Sequence, residues 1–281
     1  MILSGKRYSW IGEKANEIRC FLSFWKKKFK KRMFFSFLLT ALCGRMDLKC
    51  LFLGGVTLFA YAFTFLVALA VTFVLTPVVK NFAIRIGAVD KPDARKVHHG
   101  LVPRLGGLAI YAGFMVSAIT TIGFTYEMVG IMAGATFLII VGVADDVVSL
   151  RPKVKLLGQI IAAAIPVVIF NINIDWINVP WHGIVYLPAV ISIPLTIFWI
   201  IGFINTVNLI DGLDGLAAGI ATIASIAIAL LAFQMGQWTA AAAMVAMTGA
   251  CLAFLQYNFN PAKIFMGDTG SMFLGYIIAA V

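Results

Sequence analysis

Four short polar segments interrupt an otherwise apolar chain, and they hold seven of the nine acidic residues that follow residue 50. They read "VDKPDARKVHHGLVPRLGG" (89–107), "GVADDVVSLRPKVKLLGQ" (142–159), "NTVNLIDGLDGLAAG" (205–219) and "NFNPAKIFMGDTGS" (258–271). Carboxylates with few His or Cys beside them suit a hard cation such as Mg2+, above all one bridged to a phosphorylated substrate. The Lys and Arg residues among them suit phosphate oxygens, and the glycines allow close backbone approach. Acids for a metal, cations for phosphates and glycines for contact are the parts that phosphoryl transfer uses.

Each segment also has a plainer reading. Asp145 and Asp146 end one apolar run, as an interfacial stop signal would. Two carboxylates at a helix C-terminus are unfavourable, however, unless a cation such as Arg151, Lys153 or Lys155 compensates them. Asp211 is placed to cap the helix that follows it, with Asp214 completing a capping-box-like pair. Asp268, ahead of "TGS", is placed to cap the last apolar stretch. Capping and function are compatible, because a helix N-terminus also attracts phosphate. His98 and His99 are neighbours in a charged loop, where a solvated pair is the ordinary case. Segment by segment both readings stand; their convergence on one face favours chemistry.

The elements that must position these residues are membrane spans. The 281 residues are 62% hydrophobic and 12% charged, with a mean hydropathy of +0.98, whereas a soluble domain is nearer half apolar and a quarter charged. The expected fold is an all-α polytopic helix bundle. Its spans fall at 51–79, 105–124, 128–144, 156–172, 187–204, 215–235 and 238–256, and an eighth begins near 270. "NINIDWINVPWHGIVYLP" (171–188) alternates loosely and is rich in Trp, as a small surface hairpin would be. The four cysteines form no CxxC or paired spacing, so neither a disulfide frame nor a zinc site is indicated.

Alternating the spans puts the four polar segments on one side. All ten Lys/Arg beyond residue 50 lie there and none lies opposite, which marks that side as cytoplasmic. Nine of the ten net positive charges belong to residues 1–50, which hold 12 Lys/Arg against 3 Asp/Glu, chiefly in "KKKFKKR" (26–32). That run reads as a contact for anionic lipid, as part of a signal peptide, or as an over-extended start ahead of Met46. The topology favours the last, so 1–50 is expected to be a basic extension outside a membrane-embedded domain at 51–281. No nucleic-acid partner is indicated.

The ordered motifs "KPDARKVHHGLVPRLGG", "ADDVVSLRPKVKLLGQ", "NTVNLIDGLDGLAAG" and "NPAKIFMGDTGS" resemble the polyprenyl-phosphate N-acetylhexosamine-1-phosphate transferases over about residues 55–281. "KPDARKVH" with "PRLGG" is similar to the branch that loads GlcNAc-1-phosphate onto undecaprenyl phosphate. The Thr-Pro-Thr-Met-Gly-Gly pattern of the branch that uses UDP-MurNAc-pentapeptide is absent. The resemblance implies a UDP-sugar donor, an undecaprenyl phosphate acceptor, Mg2+, release of UMP, and a cytoplasmic active site in the bacterial inner membrane, between spans three, four, five and eight. A homodimer is compatible with it.

By the same resemblance, Asp145 and Asp146 form the catalytic acidic pair, with Asp145 as base. Asp268 is the metal ligand, with Asn208 beside the metal. Asn208, Asp211 and Asp214 line the nucleotide site, Phe265 stacks on uracil, and Lys155 meets the phosphates. Two features depart from the family pattern. Ser149 stands where relatives keep an acid or amide, and the family's later His-rich loop has no counterpart before Val281, so a C-terminally truncated, inactive chain is expected. The alternatives carried alongside are a phospho-MurNAc-pentapeptide transferase and a non-catalytic transporter or lipid-binding scaffold.

Overall fold

The computed structural model describes residues 48–90 and 102–281. The basic run 26–32 and the histidine pair of the first motif lie outside them. The chain divides at Leu58, and the compact unit Phe59–Val281 carries the site. Helix α1 (Leu48–Arg85) is followed by a two-residue ladder of β1 (Val89–Asp90) with β2 (Val102–Pro103). Then come α2 (Gly107–Thr121), α3 (Tyr126–Val148), α4 (Pro152–Ala164), which runs on as a π-helical turn to Ile169, and a hairpin of β3 (Trp176–Val179) with β4 (Gly183–Tyr186). Helices α5 (Ala189–Ile210), α6 (Leu216–Gln234), α7 (Trp238–Asn258) and α8 (Gly267–Ala280) complete the order.

Six helical segments of 18 to 28 residues are apolar enough to cross a membrane, α1 being counted from Leu58 and α4 through its π-helical turn to Ile169. The protein is a mainly helical, multi-pass membrane protein. One of the eight expected spans is short: α2 has 15 residues, against about 20 for a perpendicular crossing, while α8 runs from Gly267 to Ala280, next to the last residue of the sequence. Both begin at glycines of the polar segments, where backbone contacts rather than lipid set the helix end.

Packing follows membrane logic, with small residues inside and large ones outside. In α6, Ala217, Ala218, Ala221 and Ser225 are buried while Ile220, Ile223, Ile226 and Leu230 face outward. Since lipid tails are as apolar as Leu, close backbone approach holds such helices together. The hydroxyls of Thr222 and Thr248 donate to the carbonyls of Ala218 and Met244 within their own helices, at 2.7 and 2.8 Å. The buried hydroxyl of Ser225, on the same face of α6, has no hydrogen-bond partner among the described residues.

The hairpin expected near 171–188 is present, with Trp176 opposite Tyr186 and Val179 opposite Gly183. The other end of the bundle holds the polar segments. One expectation needs correction there. Residues 205–210, assigned to a loop, continue α5 for nearly two turns to Ile210. Asn205 is tolerated in the helix because its Nδ2 donates to the Ile201 carbonyl and to Gln159 Oε1, both at 2.8 Å.

Candidate active site

The corner between α3 and α4 is made locally. Ser149 closes α3 in the left-handed region (φ 55°), its N–H donating to the Asp145 carbonyl. Pro152 then opens α4, where its missing N–H costs nothing. The reversal brings Lys155 Nζ to 2.9 Å from Asp145 Oδ2. The other oxygen of Asp145 accepts from the Leu150 N–H at 2.8 Å. Lys155 thus compensates the carboxylate at the negative end of α3, as the helix dipole requires.

Lys155 also reaches across the bundle. Its Nζ lies 3.0 Å from Asp268 Oδ2 on α8 and 3.5 Å from Asn208 Oδ1 on α5. Asn208 Nδ2 donates to Asp268 Oδ1 and to Ser271 Oγ at 2.8 Å. One turn deeper, Gln159 and Asn205 form a second amide rung between α4 and α5. Spacing sets both rungs: Lys155 and Gln159 are four apart on α4, and Asn205 and Asn208 are three apart on α5, so each pair shares a face.

Asp146 turns the other way. Its Oδ1 accepts from the Asp268 N–H at 2.9 Å, and its Oδ2 from the Thr269 N–H at 2.9 Å and the Thr269 hydroxyl at 2.6 Å. Arg104 Nη2 stands 3.9 Å from Asp146 Oδ1, while its Nη1 contacts Asp90 Oδ1 at 3.4 Å. Three backbone bonds fasten the same region: Phe265 N–H to the Pro103 carbonyl, Gly106 N–H to that of Phe265, and Gly107 N–H to that of Met266. The glycines of "PRLGG" and "MGDTGS" are therefore contact residues. A Cβ on Gly107 would lie 2.2 Å from the backbone of Gly270.

The structure thus brings Asp145, Asp146, Lys155, Asn208 and Asp268 together. Asp211, the C-cap of α5, is half-buried in the field of Asp268, Asp146 and Arg104; burial first, then the two carboxylates, push its carboxyl up to about 7. Neither Asp211 nor Asp214 caps α6, whose N-cap is Gly215 at φ 74°. Asp214 bonds elsewhere, its Oδ2 accepting from Asn260 Nδ2 at 3.2 Å and the Ala262 N–H at 3.0 Å. Phe265 is half-buried three residues before Asp268, on the strip tied to Pro103 and Gly106. Asp268 does not cap α8, since its own N–H is among those received by Asp146.

Three members went unassigned in the sequence reading: Arg104, Thr269 and Ser271. Each sits inside a quoted motif, Arg104 within "PRLGG" and Thr269 and Ser271 on either side of Gly270, but only the fold shows which atom it meets.

Among the described residues, five carboxylates (Asp90, Asp145, Asp146, Asp211 and Asp268) face two cations, Lys155 and Arg104. The excess of negative charge and the hard oxygen donors fit a divalent cation. Among the described residues no three acidic, His or Cys side chains close on one point. A cation would rest on one or two protein oxygens plus substrate phosphates, the usual manner for Mg2+. Asp268 Oδ and Asn208 Oδ1 fit that role, although the Asn208 amide now turns its nitrogen to Asp268 and its oxygen to Lys155.

Residues 128–281 match Glycosyl transferase family 4. Over 216 residues the chain is 44% identical to a probable undecaprenyl-phosphate N-acetylglucosaminyl 1-phosphate transferase of Bacillus subtilis, covering 76% of this chain and 60% of that protein. It is 36% identical over 248 residues to a decaprenyl-phosphate N-acetylglucosaminephosphotransferase of Mycolicibacterium smegmatis, covering 81% and 60%. A phospho-N-acetylmuramoyl-pentapeptide-transferase of Listeria monocytogenes is 31% identical over 247 residues, covering 80% and 75%. The chain spans about 60% of the length of the first two relatives. The matching half of the chain carries Asp145, Lys155, Asn208 and Asp268, and the chain belongs to glycosyl transferase family 4.

Proposed function

We propose that the protein transfers GlcNAc-1-phosphate from UDP-GlcNAc to undecaprenyl phosphate at the cytoplasmic face of a bacterial inner membrane. The observation that carries this reading is the meeting of Lys155, Asn208 and Asp268 from three helices, in a chain 44% identical to a transferase named for that reaction.

In this reading an oxygen of the lipid phosphate attacks the β-phosphorus of the UDP-sugar. The bond from that phosphorus to the bridging oxygen breaks, UMP leaves with the electron pair, and a lipid-linked sugar pyrophosphate remains. Asp145 takes any proton carried by the lipid phosphate; its position against Lys155 keeps the carboxylate oriented. Lys155, released from its two carboxylates as substrate enters, neutralises charge on the transferring phosphoryl group. Arg104, whose side chain is 35% exposed, meets the same anion from the α2 side. Asp211 and Phe265 border the nucleotide. Asp268 and Asn208 would hold Mg2+, which would supply positive charge to offset that of the donor phosphates.

The reading is tested with the protein in lipid nanodiscs containing undecaprenyl phosphate, offered labelled UDP-GlcNAc or UDP-MurNAc-pentapeptide. The expected result is labelled lipid with an equal amount of UMP from UDP-GlcNAc alone. Preference for the pentapeptide donor would move the chain to the other branch. Absence of UMP from both donors would leave it a non-catalytic membrane scaffold.

A further inference from the structure

Asp145 and Asp146 are adjacent in sequence, yet their bonds differ in kind. Asp145 faces Lys155, within the polar cluster. The side chain of Asp146 is 0% exposed, against 25% for Asp268. Its two oxygens accept from the Asp268 N–H, the Thr269 N–H and the Thr269 hydroxyl. These bonds take three of its four lone-pair sites, and Arg104 Nη2 stands 3.9 Å from Oδ1, so the group is shielded from an entering substrate.

We infer that Asp146 is a positioning residue: it fixes the first turn of α8 so that Asp268 faces Lys155 and Asn208, and it exchanges no proton in the reaction. This deepens the proposed function, since it rests on Asp268 as the residue that holds the cation.

Three observations carry the assignment. The amides that Asp146 receives are those of the first turn of α8, which have no partner within the helix; Met266, at the N-cap, provides no side-chain acceptor. A carboxylate suits this place because both of its oxygens accept, whereas an amide would set an N–H2 against backbone N–H donors. It also lies between the negative end of α3 and the positive end of α8, where its charge is compensated by the second helix.

The surrounding glycines permit the approach. A Cβ on Gly267 would stand 2.5 Å from Asp146 Oδ2 and 2.3 Å from the Arg104 carbonyl, and one on Gly142 would stand 2.6 Å from Thr269 Cα. Gly267 is moreover at φ 75°, a conformation that side chains disfavour. The backbone has been brought in from both sides until the carboxylate bridges it.

The test pairs backbone hydrogen exchange at 266–272 with transfer kinetics over a range of Mg2+, on nanodisc-embedded wild type, Asp145→Asn, Asp146→Asn and Thr269→Val. Asp146→Asn should speed exchange of the Asp268 and Thr269 amides while Asp145→Asn leaves them protected. Its half-saturating Mg2+ should rise about 10–100-fold, as when a residue supporting a ligand is lost, with kcat largely recovered at saturating Mg2+. Thr269→Val, which keeps the carboxylate, should shift Mg2+ dependence in the same direction but less, and the double variant should fall short of the product of the two.

Unchanged amide protection in Asp146→Asn, or a loss of kcat that no Mg2+ recovers in a folded protein, would overturn the assignment. If Asp146→Asn fails to fold, wild-type Mg2+ dependence in Thr269→Val overturns it. Exchange is read without turnover, so failure of every protein to transfer sugar phosphate strikes the proposed function and not the role of Asp146.

Discussion

The α3–α4 corner and the α5–α6 corner each carry two aspartates, and each divides them in the same way. At the first, Asp146 ties down the backbone of α8 while Asp145 faces the shared cluster through Lys155. At the second, Asp214 ties down the loop after α7 while Asp211 stands in the field of Asp268. Both latching acids accept backbone N–H groups from segments 48 to 123 residues away. A carboxylate is a useful latch at a membrane boundary, because it satisfies amides that neither lipid nor their own helix can serve. The lesson is that a dense cluster of acids is not all chemistry: part of it builds the platform on which the rest works.

Substitutions should separate the two classes. The largest effect is expected from Asp145→Asn, which keeps shape but cannot take a proton: kcat for transfer should fall about 10²–10⁴-fold, with UDP-GlcNAc binding retained in equilibrium titration. Wild-type kcat would move Asp145 to the latching class. Asp211→Asn should chiefly raise the KM for the UDP-sugar, with a smaller change in kcat.

Asp211→Asn also has a pH signature. The carboxyl of Asp211 is raised, so the folded protein keeps a proton that the unfolded chain has released, and stability declines as pH rises from about 4 toward about 7. Removing the group should raise the thermal midpoint in EDTA more at pH 8 than at pH 5. An equal shift at both would show that Asp211 is not charged against its neighbours.

Asp214→Ala should cost about 1–2 kcal/mol of stability and increase proteolysis at 259–263, with kcat within a few-fold of wild type. A large loss of kcat at unchanged stability would place Asp214 at the nucleotide instead. The smallest effect belongs to Ser149, held at φ 55°. Ser149→Gly should raise stability by about 1 kcal/mol and leave transfer unaltered. The same geometry explains why an amide or acid suits this position, since Asn and Asp enter the left-handed region more readily than Ser.

Much of this was legible in the sequence for a simple reason. In a membrane chain every polar residue is costly, so Asp145, Lys155, Asn208 and Asp268 stood out against the runs around them. The long helices were legible by the same contrast, and the hairpin by its alternation and its tryptophans. The helix ends were not: Asn205 and Asn208 lower the hydropathy of 205–210 as a loop would, yet partners on α4 and α8 keep them helical. Nor was the division of labour between Asp145 and Asp146, because Asp146's partners lie 122 and 123 residues further along the chain. Local reading supplies Asp211 and Asp214 with a nearby helix to cap; the fold gives that helix a glycine and sends both acids elsewhere.

The central claim is that Asp268, held among Lys155, Asn208 and Ser271, is where a cation and a sugar nucleotide meet. It is tested most directly by transfer of labelled GlcNAc-1-phosphate from UDP-GlcNAc to undecaprenyl phosphate by wild type and Asp268→Asn, with Mg2+ and with EDTA. The expected result is transfer by wild type in Mg2+, its abolition by EDTA and recovery on adding Mg2+ back. Asp268→Asn should be slower by orders of magnitude at any Mg2+ concentration. Full wild-type transfer in EDTA, or wild-type turnover by Asp268→Asn, would contradict it.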